Sequence, residues 1–286
     1  MTFDEIGEVD IRGENISKAI KGFARKKFKL RQILKTQGSS SLTESYYRES
    51  NTILTASGNR NIQGVARGAL PPELMPSWEK ESADHIKFMG QETIYYEDNL
   101  LDAIPVQART FIRVAEAIAN AEDSYIYAQL TAATGTSGVV GAAATWNNAI
   151  VASRDPIGDI LIGIGAMGSN NYDARANGYL LLNEVDHSSL LRNSKVINNP
   201  SFKTADVVSN GITGQICSLK IIVSDTVTAA EAMIVVGQRA ATWKSAAPLR
   251  AVAITDQGVN IKIRAWEMGQ LQITDPQGLY TITGTA

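Results

Sequence analysis

Apolar residues recur along this chain with two periods, and the switch between them divides it into parts. Ile16, Ile20, Phe23, Leu30, Ile33 and Leu34 stand three or four residues apart, or in multiples of that spacing, which predicts a helix over 15–36 with Ser17 as its N-cap. The polar stretch 36–45 ends it. Residues 46–70 carry two short β-prone runs around a Gly/Asn turn cluster at 57–61. They predict a long polar hairpin with too little apolar surface for its own core, closed by the stiff segment from Pro71 to Pro76. A strand is predicted over 86–98.

After Pro105, the residues Phe111, Val114, Ala115, Ile118, Ala121, Tyr125 and Ala128 form one helical stripe that runs to about Ala133. The helix would hold roughly 27 residues and measure about 40 Å. Gly135 and Gly138 stop it, and the small residues of 135–146 read as loop. Asp155 and Pro156 then cap a further helix, whose apolar face is Ile157, Ile160, Leu161, Ile164 and Met167. An apolar strand from Tyr179 to Leu182 follows. Next comes a short helix capped by Asp186 or Ser188, with Leu190 and Leu191 turned inward.

From Cys217 onward the period falls to two. Cys217, Leu219, Ile221 and Val223 alternate with more polar neighbours, and Met233 to Val236 is apolar throughout. Val259, Ile261, Ile263 and Ala265 oppose Asn260, Lys262 and Arg264; Leu271, Ile273, Tyr280 and Ile282 continue the pattern. Helices dominate the first half and strands the last third, which indicates an α+β chain. No repeat of fixed period is present.

Composition narrows the function classes. The 286 residues are 44% apolar and 20% charged, enough for a packed core and about two domains. One cysteine and two histidines leave no intrachain disulfide and no Cys/His zinc site. The acidic start lacks the basic and apolar regions of a signal peptide, and no apolar run reaches bilayer length. A soluble chain made in the cytoplasm, with no membrane partner, is expected. Net charge is only −2, but eight basic residues and no acid lie between 18 and 35: Lys18, Lys21, Arg25, Lys26, Lys27, Lys29, Arg31 and Lys35. The rest of the chain holds 19 basic against 29 acidic residues. Such a segment attracts a polyanion without reading its sequence, or meets an acidic surface on a neighbouring subunit.

Candidate chemistry is sparse. Residues 163–168, GIGAMG, match the G-x-G-x-x-G of dinucleotide-binding folds, and Glu184 stands where such folds place a ribose-binding acid. The residues behind Gly168 are too polar and too few for the required helix, whereas those before it suit one. A dinucleotide-binding enzyme using Gly163–Gly168 is the remote alternative. Asp186, His187 and Ser188 are consecutive, so they cannot form a relay and read as a polar helix start. Glu122 and Asp123 read as carboxylates on an exposed helical face, and His85 as solvated in a charged segment. Cys217 reads as a small buried residue on its strand. No catalytic, cofactor-binding or metal-binding residue is assigned, and no enzymatic activity is expected.

The order of parts carries a resemblance. TFIRVAEAIANAEDSYIYAQL followed by GTSGVVG, then RDPIGDILIGIGAM, NGYLLLNEVDHSSLLR, GQICSLKIIVSDTV and VNIKIRAWEMGQLQITDPQGLYTITG are similar to successive segments of the HK97-like major capsid proteins of tailed viruses. Encapsulin shells share that fold. The likeness implies an N-terminal arm with the basic helix (1–45), an extended hairpin loop (46–90), and a peripheral domain with a spine helix (91–145). It further implies an axial domain (146–244) and a C-terminal return to the peripheral domain (245–286). It also implies self-assembly, as pentamers and hexamers, into an icosahedral virion capsid around double-stranded DNA, built in the host cytoplasm. Portal protein and scaffolding or decoration proteins would be partners. An encapsulin-type nanocompartment is the alternative, and the basic arm favours the viral form.

Overall fold

The computed structural model describes residues 13–49, 66–70, 78–101, 106–134, 139–170, 172–197 and 214–286. Helix α1 (Gly13–Lys27) leads to β1 (Lys35–Gly38), β2 (Thr43–Glu49), β3 (Trp78–Asp84) and β4 (Ile86–Tyr95). Then come α2 (Tyr96–Leu101), α3 (Val106–Thr134), β5 (Val139–Gly141), α4 (Pro156–Ser169), α5 (Ala174–Asn177), β6 (Gly178–Leu182), α6 (Glu184–Leu191) and α7 (Ser194–Ile197). The strands β7 (Gln215–Ile216), β8 (Leu219–Val223), β9 (Glu231–Val236), β10 (Ala241–Asp256), β11 (Asn260–Ile273) and β12 (Leu279–Thr283) complete the chain.

Three sheets result. A four-stranded sheet has the order β1-β10-β11-β4, and a six-stranded sheet the order β5-β12-β9-β6-β8-β7. Among the described residues the ribbon β2–β3 pairs only with itself, Thr43 opposite Asp84 and Glu49 opposite Trp78. The tip of the predicted hairpin, at 50–65 and 71–77, lies outside the described residues. α3 packs on the four-stranded sheet, where Val114, Ile118, Ile126 and Leu130 share a core with Phe88, Ile94, Trp243, Ile263 and Leu271. α4 packs on the six-stranded sheet through Ile160, Ile164 and Met167, against Leu180, Ile234 and Ile282.

Several elements differ from expectation for identifiable reasons. The arm helix begins at Gly13, so Ser17 lies inside it, and it ends at Lys27. Asp123 of α3 accepts the backbone N–H groups of Lys29 (2.9 Å) and Leu30 (3.1 Å), which turns the chain into a 3-10 turn, Leu30–Ile33. β1 then occupies positions expected to be loop, and β5 lies within the expected loop 135–146. β10 is a strand of 16 residues that no simple alternation announces, because it is bulged between Ser245 and Arg250, around Pro248. β1 pairs with it only from Thr242 to Ser245, so Pro248 removes no ladder hydrogen bond on that side.

Cys217 is not on a strand face. Cys217 (φ 50°) and Ser218 (φ 70°) form the two-residue turn between β7 and β8. The cap of α6 is Asn183, whose side chain accepts from Val185 N, in place of Asp186 or Ser188. Leu190 is buried as expected, and Leu191 is half-buried. On β11 the alternation Ile263, Ala265, Glu267, Gly269, Leu271 faces α3, so strand parity alone carries an acid into the core. Gly269 is required there, since a Cβ would come within 2.2 Å of the Trp243 ring.

Candidate assembly site: the arm, its anchors and the hairpin root

The eight basic residues do not share one helix face. Lys18 and Lys21 are exposed on α1. Arg25 and Lys26 lie on the same helix, with side chains outside the described set. Lys27, half-exposed, pairs with Glu116 of α3 at 2.7 Å. Lys29 and Lys35 are exposed beyond the helix. Arg31 turns inward: its guanidinium lies 2.8 Å from Glu267 and 3.4 Å from Glu122, and stacks near the rings of Phe28 and Trp243. One member of the predicted basic patch is therefore a core residue of its own chain.

Glu122 and Asp123 are buried, contrary to the exposed-face reading. The apolar stripe had been drawn through Ala121 and Ala128, which are exposed and present little apolar area. The true inward face runs through Val114, Ala115, Ile118, Ala119, Glu122, Asp123, Ile126, Tyr127 and Leu130. The signal was available, since Glu122 stands four residues from both Ile118 and Ile126. Burial pushes the Glu122 carboxyl up to about 8, with Arg31 opposing and the charges of Glu267 and Asp123 adding to the rise. Burial also raises Asp123, against the N–H donors of Lys29 and Leu30, and raises Glu267, against Arg31.

The ribbon β2–β3 is tied down at its root. Glu44 accepts from the Ser39 hydroxyl and from Gln272 (3.1 Å), and Lys244 lies 3.7 Å away. The Ser39 bond is the largest influence holding the Glu44 carboxyl below its usual range. His85 Nε2 is 2.9 Å from Ser39 Oγ, so His85 is half-buried and bonded, where the sequence suggested a solvated ring. Along the ribbon, Arg48 bridges Glu79 (2.8 Å) and Glu81 (3.4 Å). Glu49 N donates to Thr274 O at 3.0 Å. Beside that bond, Asp275 accepts from Tyr172 Oη (2.8 Å) and from Arg239 Nε (2.8 Å), joining the α4–α5 connection to the end of β11.

The glycine motif is helix from Gly163 to Gly168, so it offers no free phosphate cradle. Asp155 caps α4 by accepting from Gly158 N at 3.2 Å. Gly163 is a contact glycine: a Cβ would lie 2.7 Å from Ile234 Cδ1 and 3.1 Å from Tyr280 Cδ1. Gly165 meets nothing within 4 Å. With Gly168 it lines an open groove of about 560 Å³ whose wall includes Leu161, Ile164, Tyr172 and Arg175. Leu161, expected inside, is 42% exposed there.

Asp186 is a structural acid, accepting from Thr285 Oγ1 (2.7 Å) and Ala230 N (3.1 Å). His187 is buried beside it and Ser188 points to Val185 O, so the three side chains form no relay. Burial lowers His187 and raises Cys217, which holds the thiol protonated. Among the described residues no three His, Cys, Asp or Glu side chains converge to hold a metal ion, and no helix is long and apolar enough to cross a membrane.

No curated protein matches the chain in sequence. Its fold is similar to that of several solved structures. The virus-like particle from Pyrococcus furiosus aligns at TM-score 0.63 and 12% identity, over 96% of this chain and 100% of that one. The capsid of cyanophage P-SCSP1u aligns at TM-score 0.65 and 11% identity, over 88% and 86%. The capsid of the native GTA particle aligns at TM-score 0.65 and 14% identity, over 100% and 95%. At such identities the likeness establishes the fold, which is the HK97-like capsid fold. The family model for phage capsid protein matches residues 82–282, well over half of the chain, and the chain therefore belongs to the phage capsid protein family.

Proposed function

We propose that the chain is the major structural subunit of a tailed virus's icosahedral capsid, assembled in the host cytoplasm around double-stranded DNA. The observation that carries this reading, beyond family membership, is the ribbon β2–β3. Among the described residues it pairs with no other strand, yet presents Tyr47 (63% exposed) and Trp78 (54% exposed). Large aromatic side chains left in water on a surface ribbon suit contact with another subunit. In this reading 1–45 is the arm, 46–90 the extended loop, 91–145 with 245–286 the peripheral domain, and 146–244 the axial domain. Pentamers and hexamers of the chain form the shell, with portal and scaffolding or decoration proteins as further partners. The exposed Lys18, Lys21, Lys29 and Lys35 would face packaged DNA or a neighbour's acids.

The likeness to the whole chain of the Pyrococcus virus-like particle favours a second reading, an encapsulin-type shell enclosing protein cargo. The two readings are separable. Sedimentation and electron microscopy of the expressed chain should give closed shells of megadalton mass. A species that stays monomeric or dimeric at every salt and protein concentration would overturn both. Nucleic acid retained in a salt-dependent way supports the viral form. Shells that bind none under any salt condition would favour the cargo form.

A further inference from the structure

We propose that residues 28–33 are a proton-operated latch: a proton shared between Glu122 and Glu267 locks the arm onto α3 and β11, and its loss loosens that hold. Two acids, Glu122 (0% exposed) and Glu267 (1% exposed), converge on one cation, and a third, Asp123 (2% exposed), lies beside Glu122 on α3. Arg31 makes its close pair with Glu267 (2.8 Å) and a longer one with Glu122 (3.4 Å). Asp123 is engaged by the N–H groups of Lys29 and Leu30, and Glu267 Oε2 has no hydrogen-bond partner among the described residues. Asp123 is met by those N–H groups and by the charge of Lys29. If Glu122 and Glu267 both ionised, the one guanidinium would leave a buried negative charge without a counter-ion, so the pair retains a proton.

β4 lies beside β11 with the uncharged Phe88 opposite Glu267. The 3-10 turn supplies Arg31 and the exposed Lys29, β11 supplies Glu267, and α3 supplies Glu122 and Asp123. α1 supplies Lys27, which is already paired with Glu116. β10 contributes the uncharged Trp243 ring, while Lys244 beside it reaches Glu44 instead. Glu122 is the natural holder of the proton. It has the longer contact to Arg31, and the other two acids both raise it.

The sign follows from this. The Glu122 carboxyl is pushed up to about 8 with the arm docked, and water reaching it as the arm lifts draws it back toward the ordinary 4.5. Its contribution to docking is full below about 4.5, declines as pH rises, and is gone above about 8. The latch belongs to the single chain and is independent of the shell reading.

Hydrogen exchange on the full chain tests it directly, because the amides of Lys29 and Leu30 are the groups bonded to Asp123. After correction for intrinsic exchange rates, their protection should fall as pH rises from 6 to 8, by at most about tenfold per pH unit and less steeply near 8. In Glu122→Gln, an isostere of the protonated acid, protection should stay level over that range. Protection that is flat in the unmodified chain, or that falls equally in Glu122→Gln, would overturn the latch. If Glu122→Gln does not fold, carbon-13 titration of the Glu122 carboxyl in the unmodified chain decides. A midpoint near 8 supports the latch, and one below 6 refutes it.

Discussion

Around α4 and the six-stranded sheet, two buried acids are met by neutral donors alone. Asp159 accepts from Trp146 Nε1 (2.9 Å) and Ala143 N (3.2 Å), and Asp186 from Thr285 and Ala230. Beneath α3 the arrangement is different: Glu122 and Glu267 share the one guanidinium of Arg31. A neutral donor ties two segments together without any requirement on charge count. An ionic cluster with more acids than bases holds only while its proton count is right. The first kind of anchor fixes a domain, and the second makes the seating of the arm conditional.

The comparison is broken or sharpened most strongly at Arg31. Arg31→Met should cost about 3–5 kcal/mol in urea unfolding, because buried acids lose their cation. Adding Glu267→Leu should restore part of that loss. A cost below about 1 kcal/mol would put the two cores on the same footing. Trp146→Phe removes a neutral donor from Asp159 and should cost about 1–3 kcal/mol. That cost should be the same at pH 6 and pH 9, and a strong pH dependence would erase the contrast. The smallest effects lie on α4. Gly163→Ala should destabilise by about 1–2 kcal/mol through contact with Ile234 and Tyr280. Gly165→Ala, facing open space, should stabilise by up to about 1 kcal/mol, both read as shifts in thermal midpoint. Equal effects at the two glycines would remove the packing explanation for Gly163.

Much of the architecture was legible in the chain. The spine helix, the capped helix behind Asp155-Pro156, the strand before Asn183 and the alternating strands near the C-terminus depend on neighbours within a few residues. Periodicity and capping residues report such neighbours. The arm departs from its pattern because a helix whose apolar spacing continues past Lys27 is stopped by a carboxylate 93 residues away. β10 is hidden because its bulges and Pro248 break the two-residue period that marks a strand. Cys217 leaves its strand because an alternating sequence does not show that two of its residues form a turn with positive φ.

The candidate site divides the same way. The charge of the segment 18–35 is written in the sequence, and so is the mixed reading of DNA contact or neighbour contact. Helical and strand periods already turn Glu122 and Glu267 inward; that Arg31 is withdrawn from that charge to meet them was decided by tertiary structure alone. Arg31 meets its partners across 91 and 236 residues of chain. Helical and strand periods place a side chain on a face, but they do not say what lies opposite. Whether an acid faces water or a guanidinium is settled only when the sheet, the spine helix and the arm come together, and the low dielectric of that contact then sets how strongly each charge is felt.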